Sequence, residues 1–140
     1  RGSFVVEDPT QTYVFIAGGI GITPFRAILL DLDHRNLPIN ANLLYANRTK
    51  DFPYQAELEQ LTRKHPNFKI HYFVEPNRIT KQSIEEIVED LQKASLAGQK
   101  PTFYISGPLP MVEAFEQMLS RMGIEPNHIK MDHFPGYNWP

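Results

Sequence analysis

The sequence predicts an α/β fold: a doubly wound, three-layer sandwich on a parallel sheet of about five strands in the order 3-2-1-4-5. Three observations predict it. Short apolar and aromatic runs alternate with helix-periodic segments about five times along the 140 residues, with no internal repeat. The first run leads straight into a glycine-rich turn, Gly18-Gly19-Ile20-Gly21, with Pro24 and a helical stripe behind it. The fourth leads into a comparable turn, Gly107-Pro108-Leu109-Pro110. Right-handed crossovers place helices on both faces and make strands one and four neighbours that the chain leaves toward opposite sides. Ligands bind at the carboxyl ends of the strands around such a switch point, so the two turns should face each other across it.

The elements follow in order. Phe4, Val5 and Val6 mark a short strand-like piece over 2–6, and the polar stretch 7–12 with Pro9 reads as a linker. Residues 1–10 are expected to be the end of a preceding domain and its linker, and 11–140 the domain proper. The chain opens on Arg1 without a methionine, as a piece of a longer protein would. Residues 13–17 form the first strand, and a helix starts just behind its turn. Unpaired N–H groups at a helix start, with roughly +0.5 of a charge from the dipole, suit an anion. The glycines let backbone approach a phosphate, and Pro24 suits the first helical position. The spacing from Gly19 to Pro24 resembles the dinucleotide fingerprint, with Pro24 where the third glycine should stand. The alternative is a tight strand-to-helix turn with no ligand; a strand in front and a helix behind favour the phosphate site.

Phe25, Ile28, Leu29 and Leu32 give the first helix one apolar face, and 36–38 stop it. Residues 42–46 form a second strand, and 47–51 the loop after it. A helix from about 53 to 64 follows, with Asp51 as its cap and Leu58 and Leu61 inward. Residues 68–74 form a third strand, broken by 75–78. Ser83 and Glu86 make a capping-box pattern before Ile84, Ile87, Val88 and Leu91. After a loop at 98–101 comes a fourth strand at 102–106. Met111, Val112, Phe115, Met118, Leu119 and Met122 recur at helical spacing, which reads as a core stripe before a soft ligand site. Gly123 closes that helix. Residues 128–131 form a short last strand, and 132–140 an aromatic tail. The whole is Rossmann-like.

Composition excludes several functions. The net charge of −2 suggests no nucleic-acid partner and no anionic-membrane surface. With no cysteine, this segment has no disulfide, thiolate zinc site or cysteine-ligated iron–sulfur cluster. The five histidines, at 34, 65, 71, 128 and 133, lack metal-ligand spacing. No Gly-x-Ser-x-Gly elbow or Gly-Lys-Ser/Thr loop is present, so acyl transfer and P-loop chemistry have no support. Glu85, Glu86, Glu89 and Asp90 form a solvated acidic face. No apolar run approaches ~20 residues and no signal peptide opens the chain. A cytoplasmic location is expected, for a parent protein that could be anchored at the cytoplasmic side of a membrane.

The tip of the second strand reads the nucleotide. NAD-binding folds usually place Asp or Glu there for the ribose; this chain has Asn47, Arg48 and Thr49. Arg48 either meets a 2′-phosphate with a bidentate contact or is an exposed loop arginine. Tyr54 either stacks on adenine or packs over the helix start. Arg26, one turn into the first helix, either touches phosphate or is solvated.

Together these residues resemble the pyridine-nucleotide domain of the ferredoxin–NADP reductase superfamily. The stretch 16–24 looks like that family's loop. Residues 104–112 resemble its second motif, usually Cys-Gly-Pro-x-x-Met. Residues 45–48 with 54–58 look like its adenosine side. The resemblance implies a flavoenzyme in which a separate β-barrel domain holds FAD or FMN and this domain brings NADH or NADPH to it. Hydride would pass to the flavin and electrons onward to an iron–sulfur protein, a haem or an oxygenase. Gly18, Gly19, Gly21, Ile22 and Thr23 would line the pyrophosphate and nicotinamide ribose. Gly107, Pro108, Leu109 and Met111 would contact the cofactor's other side, and Asn47, Arg48 and Tyr54 its adenosine half. Thr23, Ser106 and Phe134 are the residues the resemblance places at the reacting ring, Phe134 as the aromatic that covers the flavin where nicotinamide docks. The domain's task would be positioning, with nicotinamide C4 held roughly 3–3.5 Å from flavin N5 and no acid or base required. Ser106 replaces the family's cysteine; a hydroxyl can still hydrogen-bond there but is less polarizable. The first residues look like the last strand of the barrel, which is absent from this chain. Alone, the fragment should bind nucleotide weakly at best and catalyse nothing. A non-catalytic nucleotide-binding module that senses redox state or docks a partner is the alternative, and a methyltransferase a weaker third.

Overall fold

The computed structural model describes residues 4–94 and 100–135. The expected loop at 98–99 and the tail beyond Pro135, with Tyr137, lie outside the described residues. The sheet comprises β1 (Tyr13–Gly18), β2 (Ala41–Asn47), β3 (Phe68–Val74), β4 (Thr102–Pro108) and β5 (Ile129–Phe134). The helices are α1 (Ile22–His34), α2 (Gln55–Lys64), α3 (Lys81–Ala94) and α4 (Leu109–Arg121). Single turns of 3-10 helix join β1 to α1 (Gly19–Gly21) and precede β5 (Pro126–His128). The strand order is β3-β2-β1-β4-β5, every pairing parallel, as the alternation predicts.

The central strands are apolar at nearly every position because both faces of the sheet are covered. On one face Phe15, Leu43, Tyr45 and Tyr104 meet Ile22, Phe25 and Leu29 of α1 and Leu58 of α2. On the other, Val14, Ile16, Leu44 and Ile105 meet Ile84 of α3 and Met111, Val112 and Leu119 of α4. Each fully buried aliphatic or aromatic side chain contributes about 1.5–3 kcal/mol.

Several local expectations change. Pro24 is the third residue of α1, not the first; it still falls in the turn whose N–H groups lack helical partners. Helix α2 begins at Gln55, and Tyr54, not Asp51, is its N-cap. Phe52 is the reason: it buries edge-on between Tyr45 and Tyr72, at 4.8 Å from each, and pulls the chain onto the sheet before a helix can start. Helix α3 starts earlier than a cap at Ser83 implies, at Lys81, because Thr80 and Ser83 cap each other. The Ser83 N–H donates to Thr80 Oγ1 at 3.1 Å and the Thr80 N–H to Ser83 Oγ at 3.0 Å. Asn36 (φ 57°) and Gly123 (φ 88°) end α1 and α4 in left-handed backbone. Strand β5 runs on through Asp132 and His133 to Phe134, so these residues are paired to β4 and are not tail. Residues 4–6, expected to be strand-like, are not in a strand. Phe4 packs on Phe25 and Tyr104, and the Tyr104 hydroxyl donates to the Val5 carbonyl.

His71 on β3 sits 2.8 Å from Asn42 Oδ1, to which its Nε2–H donates. Burial, with Lys69 nearby and Asp90 opposing, holds its pKa below the ordinary 6.5. The unfolded chain therefore binds the proton first. Stability is full above pH 6.5 and is lost as pH falls from there toward the folded value. We expect the urea midpoint to drop over that interval, and His71→Gln to flatten the drop. An equal drop in the variant would assign it to other groups.

Candidate functional site

Parallel strands end at one edge of the sheet, and here all five tips meet one cavity of about 550 Å³. That is within the range of small-molecule sites. Gly18, Gly19 and Ile20 enter it from β1, Asn47, Arg48 and Thr49 from β2, Pro108 from β4 and Phe134 from β5. The tip of β3 adds Phe73, Glu75, Asn77, Arg78 and Ile79. Helix α4 closes the side with Ala114, Phe115 and Met118. The lining is mostly apolar, with two arginines and one carboxylate on the side of the β2 and β3 tips. Arg48 and Arg78 both also make contacts inside the chain.

The two glycine turns touch. A Cβ built on Gly21 would lie 2.1 Å from the Ser106 carbonyl oxygen and 2.9 Å from the Gly107 nitrogen. The first loop thus rests directly on the tip of β4, and only a glycine permits it. The structure gives Gly21 a reason that the sequence did not name, close approach of backbone to backbone. Gly19 differs: its φ of 55° is the left-handed region, and no atom stands within 4 Å of its missing Cβ.

The expected site residues separate into three groups. Gly18, Gly19, Asn47, Arg48, Pro108 and Phe134 line the cavity. Gly21, Ile22, Ser106, Gly107 and Met111 are buried behind it, holding the turns together; Ser106 is only 1% exposed. Thr23, Leu109 and Tyr54 are exposed outside it, Thr23 and Leu109 in the first turns of α1 and α4. Tyr54 has a left-handed backbone, φ 63°, and lies under the Arg26 guanidinium, 4.5 Å from carbon to ring centroid. Arg26 is neither solvated alone nor aimed at the cavity. Its Nε and Nη2 donate to Glu57 at 2.6 and 3.2 Å. These bonds hold the Glu57 carboxyl below the usual carboxylate range and raise Arg26. The assembly ties α1 to the start of α2.

Sequence reasoning misses the β3 tip and Met118. In the sequence, residues 75–78 read as a strand breaker and no more. A signal is available, because in a doubly wound sheet every strand tip lies on the ligand edge. Met118 shares the α4 stripe with core residues and nothing in its spacing sets it apart. Three histidines are engaged structurally: His65 with Asp33, His71 with Asn42 and His128 with Thr102. Among the described residues no group of three His, Cys, Asp or Glu could hold a metal, and no helix is long and apolar enough to cross a membrane.

Comparison with known proteins fits this geometry. The model of the family described as oxidoreductase NAD-binding domain matches residues 15–117. The chain is 32% identical over 152 residues to the flavohemoprotein of Schizosaccharomyces pombe, across 97% of this chain and 34% of that protein. It is 29% identical over 135 residues to the anthranilate 1,2-dioxygenase electron transfer component of Acinetobacter baylyi, across 95% of this chain and 39% of that protein. Among solved structures, the flavohem-like FAD/NAD binding domain of nitric oxide dioxygenase from Vibrio cholerae superposes with a TM-score of 0.75. The identity there is 20%, over 97% of this chain and 56% of the other. The cytochrome b5 reductase domain of Ulva prolifera nitrate reductase gives a TM-score of 0.67 at 27% identity, over 87% of this chain and 48% of the other. The chain thus spans well under half the length of the curated relatives it matches.

Proposed function

The chain belongs to the oxidoreductase NAD-binding domain family, and on that premise we propose that it is the dinucleotide-binding half of a flavin-dependent reductase of the ferredoxin–NADP reductase kind. The observation that carries this reading is the contact between Gly21 and the tip of β4. It joins two turns far apart in sequence into one floor, and one extended cofactor can lie across both.

The residues present suit such a cofactor. The arginine end of the cavity fits a phosphorylated adenosine, and the apolar end near Pro108 and Phe134 fits a flat ring. When bound, NADH or NADPH would supply a hydride to FAD or FMN held by another domain. The chain's own work is to bind, orient and shield. The Gly18–Gly19 backbone accepts close approach, Arg48 and Arg78 set which end enters, and Phe134 keeps water from the apolar end. Phe134 in the cavity favours this reading over a redox sensor, which has no flavin to cover. The natural partners are a flavin domain of the same protein and a downstream iron–sulfur protein, haem or oxygenase.

Calorimetric titration of the chain with NADH, NADPH and S-adenosylmethionine tests the proposal. Weak binding of a dinucleotide and none of S-adenosylmethionine is expected. Binding of S-adenosylmethionine without either dinucleotide would overturn the reading.

A further inference from the structure

We propose that Asn47 is a positioning residue that presents Arg48 to the cavity by latching the turn 48–51. This rests on the dinucleotide reading above. Asn47 is the last residue of β2 and three hydrogen bonds converge on it. Its side-chain Nδ2 donates to the Thr49 carbonyl and to the Asp51 carbonyl, each at 3.1 Å. Its own carbonyl accepts from the Glu75 N–H at 3.3 Å.

The turn is closed a second time by the Asp51 N–H on Thr49 Oγ1 at 3.2 Å and by the Phe52 N–H on the Lys50 carbonyl at 3.0 Å. Beyond it, the hydroxyl of the buried Tyr45 donates to the Pro53 carbonyl at 3.0 Å. Arg48 therefore leaves the sheet between two anchored residues. The Glu75 bond ties the same point to the start of the loop that carries Arg78.

The amide chemistry says what Asn47 does. A side-chain amide has two N–H donors and one acceptor oxygen. Both donors are engaged by the turn, so only Oδ1, an acceptor that Asn47→Asp retains, is left to face the cavity. The effect of the two donors on a ligand then passes through the arm they hold. An arm ordered in advance does not have to be ordered when the ligand arrives, and affinity rises accordingly.

Asn47→Asp keeps the shape, has no N–H and sets a carboxylate oxygen against two carbonyls. In the full chain we expect trypsin cleavage after Arg48 and Lys50 to accelerate about tenfold, with cleavage after Arg63 and Lys64 unchanged. Affinity for NADPH should fall about tenfold in the native background and less than about twofold in an Arg48→Ala background. Unchanged cleavage at Arg48 and Lys50 would overturn the latch. Equal losses of affinity in both backgrounds would show a direct contact and overturn the positioning role. Should the aspartate variant open the whole domain, Asn47→Ser, with one donor and no charge, reads the same two quantities. If the unsubstituted chain binds neither NADPH nor NADH, the dinucleotide reading fails and the trypsin pattern alone decides the latch.

Discussion

Gly21→Ala should destabilise the domain by about 3 kcal/mol and abolish dinucleotide binding with it. The added methyl group would stand 2.1 Å from the Ser106 oxygen, 2.6 Å from its carbonyl carbon and 2.9 Å from the Gly107 nitrogen. All three are backbone atoms of a central strand, which cannot rotate away. Either β4 shifts against β1, breaking the ladder between Ala17 and Ser106, or the loop lifts and takes the start of α1 with it. Both outcomes separate the two turns. Gly107→Ala should cost less, because its methyl group would first meet the Met111 sulfur, at 2.5 Å, on a flexible side chain. At Gly19 an added methyl group meets nothing, and only the left-handed backbone penalty of about 1–2 kcal/mol applies. Thermal and urea unfolding of the three variants should rank Gly21 first. An alanine at 21 that left both midpoints within error would mean the loop does not rest on β4.

Arg48→Ala should weaken NADPH by about tenfold or more and NADH far less, with Arg78→Ala acting in the same direction. A guanidinium is suited to a phosphate oxygen pair, and NADPH differs from NADH by one such group on the adenosine ribose. The two side chains reach one end of the cavity from adjacent strand tips, β2 and β3. Titration of each variant with both dinucleotides, at fixed salt, decides the matter. Equal losses for the two nucleotides would show that neither arginine reads the 2′-phosphate. Salt must be held constant, since screening weakens exposed charge contacts.

Much of this is legible in the residues. The run Tyr13 to Ala17 is apolar at every position, which only a strand covered on both faces requires. The α4 stripe and the left-handed helix ends at Asn36 and Gly123 follow from local periodicity and from the residues that tolerate such backbone. What the sequence misleads on depends on partners distant along the chain. The start of α2 lies later than its pattern implies because Phe52 finds Tyr45 and Tyr72. Arg26 is placed in sequence where it could touch a phosphate, and Glu57, 31 residues on, claims it instead. Arg78 sits in a segment that reads as a bare strand terminator.

By itself, then, the sequence determined the alternation of elements, the order of the sheet and the identity of its two glycine turns, because periodicity, handed crossovers and turn chemistry act over a few residues at a time. Only the tertiary structure decided which residues reach the cavity, why Gly21 must be glycine and how the turn after Asn47 is closed. Those depend on how closely one strand tip approaches the next, a distance set by the packing of the whole sheet and written at no single position.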